Sequence, residues 1–184
     1  PNQNSFILKT DDSGNFLWVK DGTEFAPEFG IVTALELKTS NNFLVGVTNW
    51  STNANIYELG TDGNLVSTIE QTDVETISDI DVDLSGNIWT TGFAFNGPLS
   101  FNGLDTIAPF SYNEYVVKYN SSGTAQWISF IQDITAQDYN IETDNSGNAY
   151  LSGNLFDSTS FGNLHANGPQ WIYDYFVTKI DPSG

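Results

Sequence analysis

Apolar and polar residues alternate in short segments along this chain, and pairs of these segments flank glycine-containing turns. The first such motif covers residues 6–14, FILKTDDSG. It recurs three times, at 55–63, 115–123 and 176–184. Alternation with a period of two on both sides of a tight glycine turn predicts a β-hairpin.

Individual side chains also recur with this first motif. The lysines at one matched position are Lys9, Lys118 and Lys179, and the second copy has Glu58 there. Trp18 and Trp127 match each other on the strand after the turn. Such matched positions indicate an internal repeat rather than isolated hairpins.

A second motif interleaves with the first. Residues 80–92, IDVDLSGNIWTTG, match 141–153, IETDNSGNAYLSG, and 35–46 is a looser copy. In the looser copy Asn41 stands at the turn-glycine position, and asparagine tolerates a positive φ. We therefore predict a second kind of hairpin, with Asn41 as its left-handed turn residue.

Two hairpins in each repeat make four strands, and the chain shows no helical periodicity. Repeated four-stranded units with turn glycines in register are typical of the blades of a β-propeller. The predicted fold is all-β: a partial β-propeller of about three four-stranded antiparallel blades, which is a fragment of a larger propeller. The predicted segments are an outer hairpin at 5–20, a blade at 31–70, a blade at 77–131 and an incomplete blade at 138–184, with inserts near 95–113 and 156–173.

The predicted blades do not complete a ring, because propellers close with about four to eight blades. The third strand of a blade occurs at both ends, at 6–10 and 176–180, so the chain does not close on itself. Either further blades belong to the same polypeptide, or several copies assemble one ring. We expect the first, since a chain that begins at Pro1 and contains no methionine is typical of a processed or excised segment.

The charge of the chain argues against several kinds of partner. The 184 residues include 23 acids and only five basic side chains, all of them lysine, so the formal net charge is −18. Such a surface repels phosphate backbones and anionic lipids, and we expect no nucleic-acid binding. No apolar run approaches the roughly 20 residues of a membrane-spanning helix, so we expect no membrane insertion. Cysteine is absent, which leaves neither disulfides nor thiolate chemistry.

These repeats resemble a known family. The segments YFVTKIDPSG (175–184), DNSGNAYLSG (144–153) and GTAQW (123–127), with Phe-Gly at 161–162, look like the bacterial β-propeller repeat described as seven-bladed. The resemblance covers nearly the whole chain. It implies part of a long protein exported by Gram-negative bacteria, often through type IX-type secretion, and hence an extracellular or cell-surface location. Members of the family share no catalytic residues, so the resemblance transfers none.

One set of acids recurs on the predicted innermost strands, at Glu36, Asp81 and Glu142. Carboxylate pairs can hydrolyse glycosides, and these three would line a central channel. The alternative, which we favour, is that they lie at strand ends or bond neighbouring backbone amides, since catalysis needs a few unlike residues that converge. Asp79, Asp81 and Asp83 alternate within one strand, but their spacing does not match a calcium loop.

Aromatic residues in the predicted connecting segments are the candidates for ligand binding, because exposed rings can stack on sugars. They are Trp50, Trp171 and Tyr173. Trp18, Trp89 and Trp127 recur at strand positions, so we expect them to pack between blades.

The chain offers little for catalysis. Its one histidine, His165, lies in an insert rich in glycine and asparagine, where we expect a loop or turn. Without cysteine or a second histidine we predict no metal site, no cofactor, no catalytic residue and no enzyme. The favoured function is a non-catalytic scaffold of a secreted or cell-surface bacterial protein that presents loops to a protein or carbohydrate. The alternatives are a rigid spacer or passenger region, and a carboxylate-dependent enzyme acting on glycans.

Overall fold

The computed structural model describes residues 5–27, 29–49, 53–132, 139–156, 158–168 and 172–184. In these ranges the regular structure is β-strand, apart from one short 3-10 helix, η1 (Gly22–Glu24). The prediction of an all-β fold is confirmed. No helix in the same ranges has the length and apolar character required to cross a membrane.

The strands form small antiparallel sheets that follow one another along the chain. The N-terminal hairpin consists of β1 (Phe6–Thr10) and β2 (Phe16–Asp21). The first sheet has the order β3-β4-β5-β6, and its strands are β3 (Ile31–Leu37), β4 (Asn42–Thr48), β5 (Ala54–Gly60) and β6 (Leu65–Ile69). Each strand of this sheet pairs with the next, as two successive hairpins require.

The second sheet repeats this arrangement with an addition. Its strands are β7 (Gln71–Thr72), β8 (Asp79–Val82), β9 (Ile88–Phe101), β10 (Leu104–Tyr119) and β11 (Ala125–Gln132). The order β8-β9-β10-β11 matches the first sheet, and β7 pairs with the far end of β9. Strands β9 and β10 are long because the insert near 95–113 extends them as a further hairpin.

The third sheet has three strands in the described chain, in the order β12-β13-β16. They are β12 (Asn140–Thr143), β13 (Ala149–Phe156) and β16 (Tyr173–Ile180). The second insert forms a separate hairpin of β14 (Thr159–Phe161) and β15 (Leu164–Ala166). His165 therefore lies in a strand, and the expectation that it occupies a loop or turn is wrong.

The turn glycines that define both motifs share one conformation. Their φ angles are positive: 82° at Gly14, 80° at Gly63, 79° at Gly86, 83° at Gly123, 76° at Gly147 and 99° at Gly184. A side chain is unfavourable in this region, so glycine is required. An acid or amide before the glycine caps most of these turns; the Asp83 carboxylate, for example, accepts from the N–H groups of Ser85 and Asn87, both at 2.9 Å.

The turn between β3 and β4 is built differently, and the prediction for Asn41 is wrong. Asn41 does not have a positive φ. Lys38 stands where the other two turns of this motif have Asp83 and Asp144, so this turn lacks the carboxylate acceptor. The Thr39 hydroxyl accepts the N–H groups of Asn41 and Asn42 instead, both at 3.1 Å.

Three apolar cores lie between successive units, in chain order. The first joins the N-terminal hairpin to the first sheet, through residues such as Ile7, Val45 and Tyr57. The second joins the first and second sheets, through Leu44, Ile56 and Tyr115 among others. The third joins the second and third sheets, through Trp89, Ile141 and Leu151 among others. Neighbouring side chains of a strand point to opposite faces, so the central strands of the first and second sheets are buried on both faces.

The two ends of this stack are exposed. Phe6 and Leu8 lie on the face of the N-terminal hairpin opposite Ile7, and both are exposed. Tyr175 and Val177 are exposed on the third sheet. The N-terminal hairpin does not pair with the third sheet. The described chain therefore forms an open stack of sheets.

Candidate functional site

The acids that recur in the second motif lie close together in the structure. They are on β3, β8 and β12, the strands that begin this motif in each sheet, and β8 contacts both β3 and β12. Glu36 is on β3, Asp79 and Asp81 are on β8, and Glu142 is on β12. Burial raises the pKa of Glu36, and the charges of Asp81, Glu142 and Asp79 raise it further against a bond from the Leu37 backbone. The structure thus brings these four carboxylates together, and we call them the acidic cluster.

Two members of the acidic cluster bind the neighbouring strand. Asp79 Oδ2 accepts the N–H of Ile141 at 2.9 Å, and Asp81 Oδ2 accepts the N–H of Thr143 at 2.5 Å. Among the described residues β12 pairs only with β13, so the two carboxylates satisfy amides on the other edge of β12. Burial raises the pKa of Asp79 although the bonds from Ile141 and Ile80 oppose the rise. Among the three acids that the sequence singled out, Asp81 thus makes the bond to a neighbouring backbone amide that was one of the alternatives to catalysis.

A group of carboxylates such as the acidic cluster can in principle bind a cation. In the part of the chain that the structure describes, no three His, Cys, Asp or Glu side chains are arranged to hold a metal ion. The carboxylates of Asp79 and Asp81 already accept backbone amides.

A repeated contact joins the outer strands of one unit to the outer turn of the next. Lys9 Nζ donates to the carbonyl of Thr61 at 2.9 Å, and Trp18 Nε1 donates to the same oxygen at 3.1 Å. Thr61 stands two residues before the turn glycine Gly63. We call this arrangement, a lysine and a tryptophan that share one turn carbonyl, the carbonyl clamp.

A second carbonyl clamp joins the second and third sheets. Lys118 Nζ and Trp127 Nε1 donate to the carbonyl of Pro182 at 3.0 and 3.2 Å. Pro182 again stands two residues before the turn glycine. Lys118 also lies 4.8 Å above the ring of Trp89, which packs edge-on against Trp127. The recurrent lysines and tryptophans therefore connect adjacent units, as a charge-assisted bond to a carbonyl can.

The junction between the first and second sheets has no carbonyl clamp, because Glu58 and Ser67 stand at the lysine and tryptophan positions. The Glu58 carboxylate accepts from Lys38 at 2.8 Å, from Asn42 at 2.7 Å and from Ser67 at 2.9 Å. Burial acts to raise the pKa of Glu58, but these hydrogen bonds outweigh it and lower the pKa. At this junction Asn102, at the tip of the first insert, donates from its side-chain amide to the carbonyl of the turn glycine Gly123 at 2.7 Å.

One buried carboxyl was missed in the sequence. Glu114 on β10 is fully buried, and its Oε1 accepts the hydroxyl of Thr91. Its Oε2 has no hydrogen-bond partner among the described residues, and neither has the nearby buried hydroxyl of Tyr139. Burial raises the pKa of Glu114 well above its usual range. No sequence signal marked it, because it occupies an ordinary position in an alternating strand.

The aromatic binding candidates fall outside the side chains that the structure describes. Trp50 and Trp171 lie outside the described residues, and Tyr173 is described only by its backbone at the start of β16. All three stay predictions. His165 is exposed, and its Nδ1 lies 3.1 Å from the hydroxyl of Ser160 on the opposite strand of the insert hairpin.

Comparisons with known proteins bear on the fold. No protein-family model matches the chain, and no curated protein matches it. The chain is similar to a solved structure of a protein of unknown function from Bacteroides caccae, with a TM-score of 0.51 and 15% sequence identity. The match covers 89% of this chain and 56% of that protein, so the chain spans little more than half of the matched protein's length. At this identity the likeness concerns the fold alone.

Proposed function

We propose that this chain is a segment of a β-propeller and serves as a non-catalytic scaffold in an exported bacterial protein, with loops that bind a protein or carbohydrate. The main support for the proposal is the order of the apolar cores. The first and second sheets each pack one face against the unit before them and the other face against the unit after them. The first strands β3, β8 and β12 lie side by side. Sheets stacked in this way around their first strands are the arrangement of propeller blades.

The use of the polar side chains supports a scaffold rather than an enzyme. Lys9 and Lys118 bind turn carbonyls, and Asp79 and Asp81 bind strand amides. Each of these groups is occupied by the backbone of the next unit and is not free to act on a substrate. Glu114, whose raised pKa is a common property of catalytic acids, has no exposed surface.

Ligand binding is tested with Trp50→Ala and Trp171→Ala against a panel of polysaccharides and surface proteins, by calorimetry. If either ring stacks on the ligand, its removal weakens binding about fivefold, because a stacked ring contributes on the order of 1 kcal/mol. Tyr112→Ala is the control, since Tyr112 is a partly exposed aromatic outside these segments. Unchanged affinity in both tryptophan variants would remove these residues from the binding site.

The same panel tests catalysis. We expect no release of reducing ends from any polysaccharide. Turnover by the purified chain that disappears in Asp81→Asn would replace the scaffold with a glycan-acting enzyme. The propeller itself is tested by electron microscopy of the polypeptide that contains this segment, in which we expect a ring of about four to eight blades.

A further inference from the structure

Residues on the exposed face of the third sheet stand at repeat positions whose counterparts in the second sheet are buried. Val177 stands at the position of Val116, and Tyr150 at the position of Trp89. Val116 and Trp89 are both 0% exposed in the core between the second and third sheets. Val177 is 74% exposed and Tyr150 is 37% exposed. The third sheet therefore presents the surface with which the second sheet binds its successor.

The N-terminal hairpin presents the opposite surface. Phe6 and Leu8 stand at the positions of Tyr115 and Val117, which are 0% exposed in the core between the first and second sheets. Phe6 is 64% exposed and Leu8 is 41% exposed. Leu8 also lines an open apolar groove of about 370 Å³ on this hairpin, together with Phe16, Leu17, Trp18 and Val19. The hairpin thus carries the surface with which a unit binds its predecessor.

Lys179 adds a polar element to the same face of the third sheet. It occupies the position of Lys9 and Lys118 in the repeat, but it binds no turn carbonyl among the described residues. Its side chain is 52% exposed, 4.0 Å from the carboxylate of Asp144, a weak surface pair. On the N-terminal hairpin, the Asp12 carbonyl stands two residues before Gly14, where Thr61 and Pro182 stand in the other turns.

We propose that these two faces bind each other between copies of this chain, head to tail. The third sheet of one copy packs Tyr150, Tyr175 and Val177 against Phe6 and Leu8 of a second copy. Lys179 of the first copy then donates to the Asp12 carbonyl of the second, as Lys118 does to Pro182 within one chain. Both halves of the internal interface are present on one chain, and the chain does not bring them together itself. The inference rests on the proposed function: in a complete ring these two faces bind the adjoining blades, and separate copies of this chain bind each other through the same two faces.

The net charge sets the conditions for this association. Each copy carries a formal charge of −18, so two copies repel each other at low ionic strength. The proposed contacts are apolar apart from one hydrogen bond to a neutral carbonyl. Added salt screens the repulsion and strengthens the apolar contact, so association increases with salt. An interface built on ion pairs would respond in the opposite direction.

The experiment is sedimentation equilibrium of the purified 184-residue chain at low and high salt, with Val177→Asp and Leu8→Asp. We expect the wild-type chain to associate, and each variant alone to be monomeric. Lys179→Ala weakens association about tenfold, as loss of one charge-assisted hydrogen bond predicts. Leu84→Asp is the control, because Leu84 is 78% exposed in a turn away from both faces, and it associates like the wild type.

Mixing the two aspartate variants identifies the faces. The Val177→Asp chain keeps an intact hairpin and the Leu8→Asp chain keeps an intact third-sheet face, so an equimolar mixture forms heterodimers and nothing larger. A head-to-tail contact requires this result, since its two surfaces differ. A monomeric wild-type chain at high salt, or a mixture that stays monomeric, overturns the proposal. Ligand binding through Trp50 or Trp171 is measured separately and is unaffected by either result.

Discussion

At the scale of single residues, two buried glutamates show that surroundings decide the behaviour of a carboxyl. Glu58 is 8% exposed and receives three side-chain hydrogen bonds, from Lys38, Asn42 and Ser67, which lower its pKa. Glu114 is 0% exposed, one of its oxygens has no partner among the described residues, and burial raises its pKa. The surroundings of the first favour its charged form, and those of the second favour its neutral form.

This difference predicts opposite pH dependences for Glu114→Gln and Glu58→Gln. A raised pKa in the folded state means that the contribution of Glu114 to stability is complete below the ordinary glutamate pKa and is lost as the pH rises. The stability of the wild type relative to Glu114→Gln therefore falls from pH 4 to pH 8. For Glu58 the sign is reversed, because its contribution is present above the ordinary pKa and is lost as the pH falls. Urea unfolding at several pH values measures both differences, and slopes of the same sign would contradict the assignment.

At the scale of elements, residues at the same position of the repeat do not contribute equally to the stability of the fold. Lys118 is 6% exposed, binds the Pro182 carbonyl and lies over Trp89. Lys179 stands at the same position of the motif but is half exposed, with a long contact to Asp144 and its Nζ 5.4 Å from the centre of the Tyr150 ring. The difference comes from the third sheet, because the turn that follows its last strand supplies the Pro182 carbonyl to Lys118. The carbonyl clamp is therefore a property of two adjacent elements and not of one strand.

The clamp predicts unequal effects of the same substitution. Lys118→Ala removes a charge-assisted hydrogen bond and a cation–π contact, and we expect it to lower the free energy of unfolding by about 2–3 kcal/mol. Lys179→Ala is the matched control, and we expect it to change the free energy of unfolding by no more than about 1 kcal/mol, because the contacts of Lys179 to Asp144 and Tyr150 are exposed. Urea denaturation at a protein concentration low enough to keep the chain monomeric measures both. Equal losses in the two variants would show that the clamp contributes nothing.

At the scale of the whole molecule, the apolar cores act against a large excess of negative charge. The acidic cluster lies where three strands converge, and mutual repulsion contributes to the raised pKa of Glu36. The few lysines cannot neutralise this charge, because the chain has five basic residues against 23 acids. The stack is thus held by burial on successive faces while its charges oppose compaction.

Salt screens the repulsion among the acidic side chains, so we expect added salt to stabilise the folded monomer. Raising NaCl from about 10 to 150 mM shortens the Debye length from about 30 to 8 Å. Relief of about 1 kcal/mol of repulsion would raise the melting temperature by about 2–4 °C in a chain of this size. Thermal unfolding followed by circular dichroism measures the shift, with CaCl₂ at matched ionic strength as the control. A constant melting temperature would contradict the expectation, and a larger shift with calcium would reveal a specific cation site.

Much of the local structure could be predicted because it depends on neighbouring residues. The alternation around Gly14, Gly86 and Gly123 predicted hairpins, and these glycines adopt the positive φ that their turns require. The prediction failed at Asn41, where Lys38 replaces the capping acid and a threonine hydroxyl takes over. It also failed at His165, because an insert with polar composition paired its own strands.

The sequence by itself determined the all-β class, the two alternating hairpins and the recurrence of lysine and tryptophan, since hairpins form from residues close together in the chain. Only the tertiary structure decided what those side chains bind. Lys118 meets Pro182 and Asp81 meets Thr143 across gaps of more than sixty residues, and Glu114 is buried because another sheet covers it. Periodicity identifies the two faces of a strand, but packing between sheets determines what covers each face.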